Sequence, residues 1–235
     1  MRRLLLPLLL AALLAAGALL QVPLRRTPPG GEGGGSGGGL ARVDFLDLLG
    51  GVRQFVAYSL WVRGDRIHHG YYGTITKEAE LVPYYEIITM MDPHFVDAYY
   101  VAGETIYRAG REQEAIDFTL KGIENNPDSG DLHAALADLY LREGRYEEAR
   151  EQYRAALGLD LELVDEGFVM EGIIATCVAL EDYGAAVQAQ RSLLGTYLMR
   201  LADPAVDADL RAWLVRRVNS LAGELASLEK REAGR

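Results

Sequence analysis

Displaced by 34 residues, part of this chain lies over itself: Gly144 falls on Gly110, Ala149 on Ala115 and Tyr140 on Ile106. In each copy the glycine closes one helical stretch, DAYYVAGETIYRA or DLHAALADLYLRE. A second follows directly, REQEAIDFTLKGIENNP or RYEEAREQYRAALGLD. All four carry apolar or small residues at i, i+3, i+4 and i+7, the stripe of a half-buried helix. A period of this length built from two helices constrains the fold more than any single motif. One helical pair cannot bury its apolar face alone, so copies must stack and the ends of the stack must be capped. Alanine and glycine at the crossing points let paired helices approach closely, while larger residues on the same faces fill the layers between them.

The slots occupied by Leu136, Ala137, Tyr140, Gly144, Tyr146, Ala149, Tyr153 and Ala156 resemble those of the tetratricopeptide repeat family, of a membrane-anchored bacterial type. Tyr99, Gly103, Gly110, Ala115 and Pro127 repeat the pattern one unit earlier, with Thr119 and Gly122 as weak members. A third copy, from about Gly167 to Leu194, is reached through about three extra residues. It keeps Ile173, Tyr183, Ala186 and Leu193, with Cys177 and Gln190 in aromatic slots. EIITMMDP ends a further unit, whose first helix is the long stretch before Gly70. After the third copy, Leu210, Trp213, Leu214, Arg217, Leu221, Leu225 and Leu228 form a stripe fit for a capping helix, with Trp213 expected to be buried. The resemblance implies an all-α, right-handed solenoid of about three and a half helix–turn–helix repeats plus that cap, over residues 40–235.

What precedes residue 40 is of another kind. Arg2 and Arg3 lead into an apolar run at residues 4–20, which extends to Leu24 before Arg25 and Arg26. As a helix, residues 4–24 would measure about 31 Å, enough to span a bilayer. Residues 1–26 therefore read as a membrane anchor, with the domain expected on the exported side. A signal sequence cut near Ala16-Gly17-Ala18, releasing a secreted protein, is the alternative. Residues 27–39, TPPGGEGGGSGGG, hold nothing that could join a core and read as a flexible linker of roughly 20 Å reach. The whole chain carries 24 basic and 34 acidic residues, a net charge of −10, which disfavours nucleic acid as a partner.

The sequence offers no convergent chemistry. No Gly-rich loop joins a strand to a helix, and no Ser, His and acid grouping has recognisable spacing, so an enzyme is not expected. The single cysteine, Cys177, can form neither an internal disulfide nor a multi-cysteine zinc site. His68 and His69 are adjacent, about 100° apart on a helix, and would chelate one ion poorly. His94 reads as helix-end polarity and His133 as a core histidine. No metal and no cofactor is expected.

Aromatic residues crowd the first half, from Phe55, Tyr58 and Trp61 to Tyr99, Tyr100 and Tyr107. Most are expected to pack between helices, but Tyr99 and Tyr100 cannot both face one layer. If Tyr99 takes the core slot, Tyr100 points into the concave surface with Tyr107 two turns on. The resemblance implies a protein–protein interaction scaffold or assembly factor that cradles a partner peptide or helix in that surface. Its expected binding residues are Asp97, Tyr100, Glu104, Tyr107, Arg108, Asp131, Asp138 and Arg142, with Glu171 extending an acidic row. Family members that clamp acidic tails line this face with Lys, Arg and Asn. The pattern here instead suits a partner segment bearing Lys or Arg with apolar or aromatic residues. A permanent structural subunit of a membrane complex is the second reading, and a metal- or cofactor-handling protein the third.

Overall fold

The computed structural model describes residues 45–68 and 80–234. The anchor and linker, residues 1–39, with His69, Tyr71 and Tyr72, lie outside the described residues. Among those described there are nine helices and no strand. They are α1 (Phe45–His68), α2 (Val82–Met91), α3 (Val96–Arg108), α4 (Glu112–Asn125), α5 (Gly130–Arg142), α6 (Tyr146–Ala156), α7 (Glu166–Ala179), α8 (Tyr183–Ala202) and α9 (Ala208–Ala233). Each helix packs on the next in sequence up to α8, α9 covers α8, and the alternate helices α3, α5 and α7 also touch in series. The array is four helical pairs and a cap, because α1 and α2 complete the unit expected as a half. No helix among the described residues is long and apolar enough to cross a membrane.

The period shows in the turns. Gly110 and Gly144 have φ of +75° and +72°, the left-handed conformation that closes a helix without steric cost when there is no Cβ. In both, the amide three residues past the helix reaches back: Arg111 N–H donates to the Ile106 carbonyl at 3.3 Å and Arg145 N–H to the Tyr140 carbonyl at 2.9 Å. The third turn repeats this bond, from Asp182 N–H to the Cys177 carbonyl at 2.8 Å, but its left-handed residue is Glu181, with φ of 58°. Glu181→Gly should therefore raise the unfolding free energy by about 0.5–1 kcal/mol in urea melts. An unchanged or lower midpoint would show that the glutamate side chain outweighs the backbone cost.

The core is built from the expected slots. Tyr99, Ile106, Leu136, Tyr153 and Leu193 are fully buried between layers. The two weak members prove necessary: Thr119 is buried and donates to the Ala115 carbonyl at 2.9 Å, and a Cβ on Gly122 would sit 2.8 Å from Tyr99 Cγ. In the third copy the slots face a cap rather than another repeat. Gln190 there is buried and its Nε2 donates to the Leu221 carbonyl at 3.1 Å and to Glu224 at 3.0 Å, both on α9. The buried thiol of Cys177 has its pKa pushed up, first by desolvation, in keeping with a packing role.

The capping stripe departs from expectation in one residue. Leu214, Leu221 and Leu228, seven apart, are the buried ones, whereas Trp213 is 43% exposed and only edges against Tyr197, ring centroids 5.9 Å apart. Trp213 lies about 100° from Leu214 around the helix, which turns most of the indole out of the α8 contact. The burial expected at Trp213 belongs to the three leucines instead. His133 also differs: it is half-buried and paired, with Nδ1 2.7 Å from Gln152 Oε1. His94 takes its expected place at a helix end, its Nδ1 donating to the Asn125 carbonyl at 2.9 Å.

Candidate partner-binding surface

Because α3 and α5 lie side by side one period apart, side chains 35 to 38 residues apart meet across the gap. Glu104 on α3 receives Arg108 from its own helix at 2.7 Å and Arg142 from α5 at 2.7 Å. Arg142 also holds Asp138 at 2.6 Å, and its guanidinium lies over the Tyr107 ring, 5.3 Å from the centroid. The Tyr107 hydroxyl donates to Glu143 at 2.8 Å. The result is a continuous ladder, Arg108–Glu104–Arg142–Asp138, with one tyrosine over it and Tyr100 half-buried beside it.

Its electrostatics follow from partial burial. Desolvation raises the Asp138 pKa above the usual carboxylate value, against the pull of Arg142. Burial works against the charge of Arg142, but Asp138 and Glu104 more than offset this and hold it protonated. Tyr100 is pushed up by burial first, then by Asp138, Asp131 and Glu104. Tyr107 is raised first by its hydrogen bond to Glu143. Each exposed pair is worth only about 0–1 kcal/mol, so the ladder sets geometry and selectivity more than stability.

Of the expected residues, Tyr100, Glu104, Tyr107, Arg108, Asp138 and Arg142 are brought together here. Asp97 lies in the first turn of α3, where its charge meets the positive helix end. Asp131 does not belong to the surface: it is 2% exposed, and its carboxylate accepts the N–H groups of Glu162, Leu163 and Val164, each at 3.0 Å. Nor does Glu171 extend a free acidic row, since it pairs with Arg217 of the cap. Four of the five carboxylates, Glu104, Asp131, Asp138 and Glu171, are thus already engaged, and the face is closer to neutral than its composition suggests. One contributor is absent from the sequence pattern: Glu143 receives Tyr107 from one repeat away. The buried slot residue Tyr153 has its pKa raised first by burial and then by the charge of Asp138. The 34-residue period, with a small offset, would have paired Tyr107 with Glu143.

A cleft of about 390 Å³ opens at the inter-repeat loops, lined among others by His94, Asn126, Ser129, Asp160 and Glu162. Among the described residues no group of three or more His, Cys, Asp or Glu side chains is placed to hold a metal ion.

No curated protein matches the chain in sequence. Among solved structures, the first TPR domain of human RPAP3 is 20% identical with a TM-score of 0.42, covering 59% of this chain and 98% of its own. MamA (41-end) from Desulfovibrio magneticus RS-1 is 11% identical with a TM-score of 0.45, covering 77% and 96%. Pseudomonas aeruginosa pilF is 14% identical with a TM-score of 0.49, covering 79% and 77%. Residues 118–151 match the tetratricopeptide repeat family. That match runs from the middle of α4 to the middle of α6, one full period of the array.

Proposed function

We propose that the protein is a membrane-tethered scaffold or assembly factor that binds a partner segment on the shared face of α3 and α5. Tetratricopeptide repeat domains mediate protein–protein interactions, which sets the class. The observation that carries the specific reading is the cross-repeat ladder. It gathers Tyr100, Glu104, Tyr107, Arg108, Asp138 and Arg142 from two repeats into one strip of two aromatic and four charged side chains. Tyr100 and Tyr107 offer amphipathic anchor area, and a partner Lys or Arg would compete with Arg142 for Glu104 and Asp138. Tethering follows from the apolar run at residues 4–24, with the repeat domain on the exported side.

Association should weaken modestly as salt rises, because charges steer encounter while the tyrosines supply most of the affinity. The test is Glu104→Lys combined with Asp138→Lys. Partners recovered by cross-linking the wild type in membranes should be lost or slowed severalfold with the double variant at low salt. Equal association rate and affinity for the two proteins would place the site elsewhere.

A further inference from the structure

The two ends of the array are finished differently. At one end α9 covers α8 and buries Leu214, Leu221 and Leu228. At the other, α1 is apolar on both sides. Ala57 is buried, and Leu60 and Trp61 pack beside it, whereas Phe55 and Tyr58 on the opposite side are 62% and 61% exposed. With about 100° per residue, Phe55, Tyr58 and Val62 fall within an arc of about 60° that faces away from Ala57. A helix with apolar arcs on two sides wants cover on both, and the outer end of a repeat array is ordinarily polar where this arc is not.

Charge and tether length select what covers it. α1 carries three arginines, Arg53, Arg63 and Arg66, against two aspartates, Asp47 and Asp65, in a chain of net charge −10. Arg63 is exposed, whereas Arg53, about 40° from Ala57 around the helix, donates to the Met90 carbonyl of α2 at 2.9 Å. Aromatic side chains on a helix of net positive charge suit the boundary between lipid headgroups and acyl chains, and an anionic headgroup layer that repels the rest of the protein would accept this helix. Only residues 25–44 separate the apolar run from α1. As a flexible coil they reach about 25 Å, so an anchored run keeps α1 at the bilayer at high effective concentration.

We propose that the outward face of α1, centred on Phe55 and Tyr58, lies on an anionic lipid surface. The argument from tether length rests on the membrane-tethered reading above. The test uses the full chain with Cys177→Ala, reconstituted into vesicles of phosphatidylcholine and phosphatidylglycerol. A nitrobenzoxadiazole probe is placed at Tyr58→Cys or, as control, at exposed Glu151→Cys on α6. At 58 the emission should shift to the blue and be quenched by lipid carrying a shallow doxyl group; at 151 neither should occur. Phe55→Asp should lower the docked-to-free ratio on the order of tenfold, with helical content unchanged, and vesicles without phosphatidylglycerol should also lower it. Equal, weak quenching at 58 and 151 would overturn the proposal. So would a blue shift at 58 without lipid quenching, which would mean that a protein surface, a second copy's or this chain's own, covers the face. Carbonate extraction of the same vesicles reads the tether separately, so loss of the anchor and loss of the docked face are told apart.

Discussion

Gly172→Ala should lower the unfolding free energy by about 3 kcal/mol, while Gly223→Ala should raise it by about 0.5–1 kcal/mol. Both glycines lie inside helices, where alanine is intrinsically better by up to about 1 kcal/mol. The sign is decided by what a Cβ would meet. At Gly223 nothing lies within 4 Å. At Gly172, on α7, a Cβ would overlap the Cζ, Cε1 and Cε2 atoms of Tyr153, which is buried on α6. That ring is held on all sides and cannot swing to solvent, so α7 itself must move. A loss of 3 kcal/mol corresponds to about 10 °C in melting temperature for a domain of this size. A double-mutant cycle isolates the cause: in a Tyr153→Leu background, where the ring is gone, Gly172→Ala should cost far less. If the penalty is the same in both backgrounds, the ring is not what the new methyl meets.

The tyrosine–glycine contact also marks how far the sequence could be read. Period and slot residues locate helices, turns and buried faces, because both depend on spacing within about 34 residues. Gly110, Gly144, Tyr99 and Tyr153 are legible in that sense. Contacts between units depend on which element comes next, and the period is silent on that. Gln190 occupies an aromatic slot because α9, not another repeat, lies against it, and its amide bonds to the α9 backbone. Trp213 looks like the dominant cap residue by size, yet the α8 contact is set by the seven-residue spacing of Leu214, Leu221 and Leu228. On the candidate surface, helix geometry gathers Tyr100, Glu104, Tyr107, Asp138 and Arg142 without difficulty. The internal pairing of its charges was not legible, because Arg142 reaches Glu104 only across a helix gap whose width no pattern encodes.

Asp131 is the residue whose role the structure changes most, and Asp131→Ala should cost about 3 kcal/mol. Its place at the start of α5 corresponds to that of Asp97 on α3, one period earlier, which reads as a surface acid. The difference lies in the three residues by which the spacing between the second and third left-handed turns exceeds the first. That added chain loops back over the N-terminal end of α5: Gly130 N–H donates to the Asp160 carbonyl at 2.7 Å, and Asp160 N–H to Asp128 at 3.2 Å. Asp131 finishes the connection by accepting from three consecutive amides, Oδ2 from Glu162 and Oδ1 from Leu163 and Val164. A charged acceptor is worth about 1.5–3 kcal/mol per buried hydrogen bond, less where water can replace it, and these amides are only partly buried. Asparagine keeps one oxygen and turns an NH₂ group toward one of the amides, so Asp131→Asn should cost roughly half as much as alanine. Hydrogen exchange at residues 162–164 should quicken in both variants, while the amides of α3 keep their protection relative to global unfolding. Were Asp131→Ala to melt like the wild type, the inter-repeat loop would be held by the Gly130–Asp160 contacts alone. The carboxylate would then be available to a partner after all.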